Sequence, residues 1–308
     1  MNRKLVPVLL CMAFALPAPG ASLAAFPGEP GPIVYRKTFT READGGRFRT
    51  SGGLFIHGPR LGEPPRQLTF DPGDQAASFS ADGRKIIFES QIDRFSFGIF
   101  VMNRDGSGRR LVTEEGGQAA FFPDSRRIVF RDSRIFSIRI DGTGLRQLTN
   151  GPGIDHEPVV SPDGKTIAFV KTRKGREDIF AIGRAGGRPR LLIDLPGAAD
   201  ADDPEWAPDG RRIVFTGNRG GCSAGIYVAR ADGRGIRRLT PCDRLYNHPA
   251  FSPDGEHVVA LGHDNSGNVI SLIRSDGGGI VGTIDRGHRK ERGRRIDVDT
   301  PGWGPRPS

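Results

Sequence analysis

Apolar residues along this chain come in short runs of three or four, broken by turn residues, and the runs recur in a fixed order. Five times a Phe, Val or Trp leads, through a small residue in all copies but one, into Pro-Asp-Gly or a close variant, a mostly basic pair and an apolar triplet. The copies are Phe79–Phe88, Phe121–Phe130, Val160–Phe169, Trp206–Phe215 and Phe251–Ala260. Their central Asp82, Asp124, Asp163, Asp209 and Asp254 set a period of 42, 39, 46 and 45 residues. A second phrase follows: an apolar run, Asp-Gly, then Leu-Thr or a related ending, as in Ile99–Thr113, Ile135–Thr149 and Ile226–Thr240. Asp-Gly supplies a positive φ at little cost, which a tight hairpin demands. Runs this short, closed by such turns, predict strands rather than helices.

Each unit therefore predicts four strands: A ending at Pro-Asp-Gly, B as the Ile-Val-Phe run, C as the Ile-Phe-Val run, and D ending in Leu-Thr. One such sheet cannot bury both its faces alone, so units of this period stack around an axis as propeller blades. The chain ends complete the count. Ile33–Lys37, Gly53–His57 and Gln67–Thr69 read as strands B, C and D with no strand A before them. Asp299–Pro305 repeats the pattern of Asp202–Pro208, a strand A with nothing after it. The expected fold is all-β: a six-bladed β-propeller of four-stranded antiparallel blades over residues 25–308, closed by pairing of the N- and C-terminal strands. Two stretches exceed the repeat, Thr40–Gly52 and Asp285–Val298, and read as long connections.

Met1–Ala24 has a charged start at Arg3 and Lys4, an apolar centre and small residues before Ala24, the pattern of a cleaved signal peptide. A secreted or periplasmic location is expected. Leu10 stands before Cys11 where a lipid anchor needs a small residue. No other stretch approaches the roughly 18 apolar residues of a membrane span, so no transmembrane segment is expected. Two cysteines remain, Cys222 and Cys242, and an oxidising compartment favours a disulfide between them. One falls in the B–C loop of blade five and the other after its strand D, connections that emerge on the same face.

Formal net charge is +9. Arg recurs at matching positions, Arg84, Arg126 and Arg211 after the turn and Arg109, Arg146 and Arg237 before the Leu-Thr or related ending, so each blade shows a similar cationic rim. No basic patch is interleaved with aromatics, and no nucleic-acid partner is expected. The densest run, His288–Arg295, carries Arg289, Lys290, Arg292, Arg294 and Arg295 and reads as a solvated D-to-A loop able to dock an acidic partner.

Candidate chemistry is sparse. Gly221-Cys-Ser-Ala-Gly225 fits the G-x-S-x-G pattern, but it lies between two strands of one blade, where a nucleophile elbow needs a following helix. A richer set enters strand A of each blade: Gln75, Gly117, His156, Asp202, Asn247 and Asp299, each followed by Ala76, Gln118, Glu157, Asp203, His248 or Thr300. With strand A innermost these crowd the mouth of the central channel. His156, Glu157, Asp202, Asp203, Asn247, His248 and Asp299 are the candidate binding residues there, for a polar ligand or a metal. Their columns are not uniform and lack metal-ligand spacing, so no metal and no cofactor is expected. An Asp here also suits a structural role, accepting backbone N–H bonds from the neighbouring blade. His57, His257, His263 and His288 read as surface residues.

Ser161-Pro-Asp-Gly164 followed by a basic residue and Ile-x-Phe, with lead-ins such as Asp202-Asp-Pro-Glu-Trp206, resembles the repeat of the TolB-type β-propeller family. The likeness runs from about Ile33 to Pro305. Periplasmic members of that family carry an α/β domain ahead of the propeller, and Ala25–Ile33 leaves no room for one. The resemblance implies an exported six-bladed propeller that binds other proteins. The expectation is thus a monomeric, non-enzymatic scaffold for a protein or cell-envelope component. The alternative is a ligand or metal site at the channel mouth, as in the related oligogalacturonate lyases.

Overall fold

The computed structural model describes residues 30–43, 47–58, 63–94, 96–195, 199–264, 267–291 and 294–305. The expected signal peptide, residues 1–24, and Arg292 lie outside them. The described chain is six antiparallel sheets with no helix. Blades two to six occupy residues 75–113, 117–147, 154–193, 201–238 and 246–286, each a four-stranded sheet in sequential order. Blade five shows the plan: strand A Ala201–Trp206, B Arg212–Gly217, C Gly225–Arg230 and D Arg237–Arg238.

Strands B are apolar without alternation because neighbouring blades cover both faces. Ile213, Val214 and Phe215 are all fully buried. The apolar side chains gather into six clusters, one at each blade-to-blade interface. Trp206 and Ile213 of blade five meet Ala168 and Val170 of blade four, for example, while Val259 and Leu261 of blade six meet Ile33 and Tyr35 of blade one. Six interfaces for six blades means that the ring is closed.

Closure happens in blade one, where strand A (Arg294–Pro305) comes from the C-terminal end and strand B (Pro30–Ala43) from the N-terminal end. Ile33 pairs with Trp303 and Val34 with Gly302. Small residues let this strand approach its neighbour: a Cβ on Gly304 would stand 2.2 Å from the Phe79 ring of blade two. On the other side the Tyr35 hydroxyl donates to Asp285 of blade six at 2.7 Å, and Lys37 Nζ reaches the same oxygen at 2.6 Å.

The repeated turn and strand-end residues have identifiable tasks. Asp163, Asp209 and Asp254 accept the backbone N–H two residues on, at 2.8–3.0 Å, while Gly164, Gly210 and Gly255 take positive φ. Ser125, standing where the others have Gly, adopts φ 54° and accepts the N–H of Asp82 from blade two. The Thr of Leu-Thr is a buried acceptor for strand C: Thr149 Oγ1 takes the Ile135 N–H at 3.0 Å and Thr240 Oγ1 that of Ile226 at 3.1 Å.

Three expectations are corrected. The described residues of Thr40–Gly52 are not a loop but the continuation of strands B and C of blade one, paired from Lys37–Gly53 out to Ala43–Arg47. The run around Arg289, Lys290, Arg294 and Arg295 is not a loop either. His288–Glu291 is a strand paired with the start of Arg294–Pro305, which makes blade one five-stranded. Cross-strand backbone bonds hold both segments where the apolar periodicity is absent. His57, read as a surface residue, is buried, with Nδ1 2.7 Å from the Gly58 carbonyl oxygen.

Candidate functional site

Strand A of every blade starts beside the axis, and the six starts enclose a channel of about 360 Å³. Its mouth opens on the face that carries the B–C and D–A connections. Each A–B pair of blades two to six contains a bulge, one extra residue on strand A, between positions such as Asp202 and Glu205 or Asn247 and Ala250. The bulge re-aims the side chain that follows the first mouth position. Ala76, Gln118, Glu157, Asp203 and His248 occupy it, all left-handed with φ between 49° and 52°.

That conformation costs a non-glycine residue about 1–2 kcal/mol. Blades three to six are each compensated by the one before. The N–H of Glu157 meets Gln118 Oε1 at 3.2 Å, that of Asp203 meets Glu157 Oε2 at 2.8 Å, and that of His248 meets Asp203 Oδ2 at 3.0 Å. Ala76 has no acceptor to offer blade three, and Glu89 of strand B in blade two replaces it, Oε1 taking the Gln118 N–H at 2.5 Å. A hydrogen bond to a charged acceptor is worth about 1.5–3 kcal/mol, enough to offset the strain. The relay ties strands A of blades three to six to one another and to strand B of blade two.

Two further contacts shape the electrostatics. His248 Nδ1 is 2.8 Å from Asp203 Oδ1, and Thr216 Oγ1 donates to Asp203 Oδ2 at 2.9 Å. Burial works against both charges. The His248 hydrogen bond and charge nevertheless hold Asp203 below its ordinary value. The same pairing, helped by Asp299 and Glu157, pushes His248 up to about 9. Asp202 goes the other way. Burial first, then the hydrogen bond to Glu157 and the charges of Asp203, Glu157 and Glu177, push it up to about 9. Asp202 therefore holds a proton at neutral pH and donates it to Glu157, whose own carboxyl is raised by burial.

His156 joins this group: Nδ1 lies 3.5 Å from Glu157, and Nε2 3.3 Å from Glu177 and 3.1 Å from Thr172 Oγ1. One ligand atom each from His156, Glu157 and Asp202 lies within 4.8 Å of the others. Asn247 Oδ1 is buried without a hydrogen-bond partner among the described residues. Asp299 faces Arg36 of its own blade at 3.7 Å. Of the seven mouth candidates, Glu157, Asp202, Asp203 and His248 form one connected set with His156, while Asn247 and Asp299 flank it. Sequence reasoning missed Glu89, Glu177 and Glu205. Glu89 carries a signal, since the residues after the Phe of strand B elsewhere are Arg131, Val170 and Thr216. Glu205 borders the channel, and burial alone pushes its carboxyl up to about 8.

Cys222 and Cys242 form a disulfide with Cα atoms 5.2 Å apart. Ser223, between them, sits in a turn whose preceding Gly220 and Gly221 have positive φ, with no helix after it.

No family model matches the chain. Among curated relatives it is 36% identical over 153 residues to a TolB homolog of Chlorobium luteolum, covering 50% of this chain and 33% of that one. It is 30% identical over 222 residues to a TolB homolog of Chlorobium chlorochromatii, covering 70% and 41%. To the Tol-Pal system protein TolB of Bordetella pertussis it is 35% identical over 136 residues, covering 44% and 30%. Among solved structures, TolB from Acinetobacter baumannii superposes with TM-score 0.70 at 21% identity, over 90% of this chain and 67% of that one. The chain belongs to the TolB-type β-propeller family. It spans less than half the length of these curated relatives. An oligogalacturonate lyase from Vibrio parahaemolyticus shares the fold at TM-score 0.54 and 14% identity, over 81% of this chain and 78% of that one. The mouth of this ring is acidic between blades four and five and cationic at His248.

Proposed function

We propose that this chain is an exported, non-enzymatic propeller that binds an envelope protein across the face carrying the channel mouth. The observation that carries the reading is the pairing of that polar mouth with unusual apolar exposure beside it. Phe70, in the connection from blade one to blade two, is 81% exposed, and Ile92 and Phe97 border the B–C connection of blade two on the same face. Large exposed apolar residues rimmed by polar ones are typical of protein contact surfaces. The disulfide and the Tol–Pal name of the Bordetella relative support an exported location. Against catalysis stands the state of the imidazole: His248 is charged and bound to Asp203, and so is no base at neutral pH. Titration calorimetry with a Tol–Pal-class envelope protein of the same cell tests this. Phe70→Ser and Ile92→Ser should each weaken binding about tenfold, the loss of one well-buried apolar contact. Unchanged affinity in both removes the face assignment.

A second reading rests on the proton shared by Asp202 and Glu157. Two carboxyls held together at neutral pH favour a cation in place of that proton, with His156 as a third ligand. Calcium or zinc titration that releases no proton and yields no heat excludes it.

A further inference from the structure

The extension of blade one is a sheet in its own right. Strand B of blade five stops at Gly217, whose equivalent in blade one is Lys37, yet here the strand continues to Ala43. At the rise of an extended chain that carries it roughly 20 Å further. Strand C and the Arg294–Pro305 strand accompany it, and His288–Glu291 forms the edge on the far side of that strand from strand B. This flap rises at the rim of the face that holds the channel mouth.

Its register is unfavourable for a sheet standing alone in water. Arg41 pairs with Arg49 on one side and with Arg294 on the other, so three arginine positions sit side by side on adjacent strands. Like charges directly opposite each other destabilise a sheet. Arg41 and Arg49 are both exposed, and no ion pair reaches either of them among the described residues. The next row, on the opposite face, places Thr50, Thr40, Arg295 and Arg289 abreast. Arg295 is paired with Asp297 at 2.9 Å, so the described flap cations without an ion pair, Arg41 and Arg49, share one face. Phe48, near its outer end, is 70% exposed and pairs with Glu42.

We propose that the flap docks end-on to an anionic lipid bilayer, with Arg41 and Arg49 binding headgroup phosphates and Phe48 entering the interfacial layer. A headgroup region surrounds an inserted element, so it receives Arg41 and Arg49 on one face and Phe48 on the other at once. An acidic peptide laid on the arginine face of the sheet leaves Phe48 in water. Basic residues near an anionic surface contribute about 1 kcal/mol each, and an interfacial aromatic adds an apolar anchor.

Flotation of the mature protein with vesicles of phosphatidylcholine containing phosphatidylglycerol, against vesicles of phosphatidylcholine alone, tests the proposal. Binding is expected to the anionic vesicles only and to weaken with salt. The double variant Arg41→Glu, Arg49→Glu removes two favourable charges and lowers partitioning at least about tenfold. Its fold is checked by the thermal midpoint, which should hold because both side chains are exposed and one like-charged pair replaces another. Phe48→Trp supplies an independent readout, a blue shift of emission on anionic vesicles. No vesicle binding, equal binding to both vesicle types, or unchanged partitioning of the charge-reversed variant overturns the proposal. So does capture by polyglutamate in the absence of vesicle binding, which assigns the flap to an acidic polypeptide.

Discussion

His248 Nδ1 lies 2.8 Å from Asp203 Oδ1 across the junction of blades five and six, and the same carboxylate accepts the His248 backbone N–H. One side chain thus holds both the ring and the strained backbone of its neighbour. The imidazole is raised to about 9 in the fold, above its value in the unfolded chain. Its stabilisation is therefore complete below about pH 6.5 and lost as pH rises through 9. Urea midpoints of the protein and His248→Gln should differ most at pH 6 and converge by pH 10. A difference independent of pH contradicts the charged pairing.

Asp202 has the same sign for a different reason. A carboxyl raised to about 9 favours the fold most at low pH and progressively less as pH climbs from about 4. Asp202→Asn keeps a neutral donor for Glu157 and removes that penalty. We expect a melting midpoint raised by roughly 2–4 °C at pH 8, with little difference near pH 4. A lower midpoint at pH 8 would mean that Asp202 is ionised in the ring.

Gly304 tests closure. Its substitution by Ala places a methyl group inside the Phe79 ring's space, at the contact between blade one and blade two. Overpacking of this kind costs about 1–3 kcal/mol, readable as a lower urea midpoint. An unaffected midpoint argues that the tail strand is not seated in the ring.

Removing the disulfide should be felt through the unfolded chain. Cys222 and Cys242 are separated by 20 residues, a loop whose closure is worth about 3 kcal/mol. Cys222→Ser with Cys242→Ser should lose about that much stability at unchanged secondary structure by circular dichroism. Two free thiols in the unreduced protein would void the prediction.

The blades were legible because each repeat carries its own instructions. Asp163 and Gly164 specify a turn, Ile213–Phe215 specify a strand buried on both faces, and Trp303 repeats Trp206 closely enough to assign a strand with no partner in sequence. The flap was hidden for a physical reason. Arg41, Arg49 and Arg294 stand beyond the core, so no apolar alternation marks them as strands, and only backbone pairing shows it. At the mouth, the columns identified Glu157, Asp203 and His248, yet the relay that links them depends on the left-handed bulge. Polar residues before a Pro do not announce φ near 50°. Glu89 was missed because it compensates for an alanine one strand away.

The seating of Trp303 beside Ile33 also governs the order in which this molecule can be completed. Strand B of blade one is made before the other five blades, but the strand that covers its inner edge is made after them. Until then five finished blades present an open seam, a row of unpaired amides and carbonyls to any passing strand. Loss of the Arg294–Pro305 strand would make that interval permanent, and the expected fate of such a chain is aggregation rather than a slightly weaker propeller.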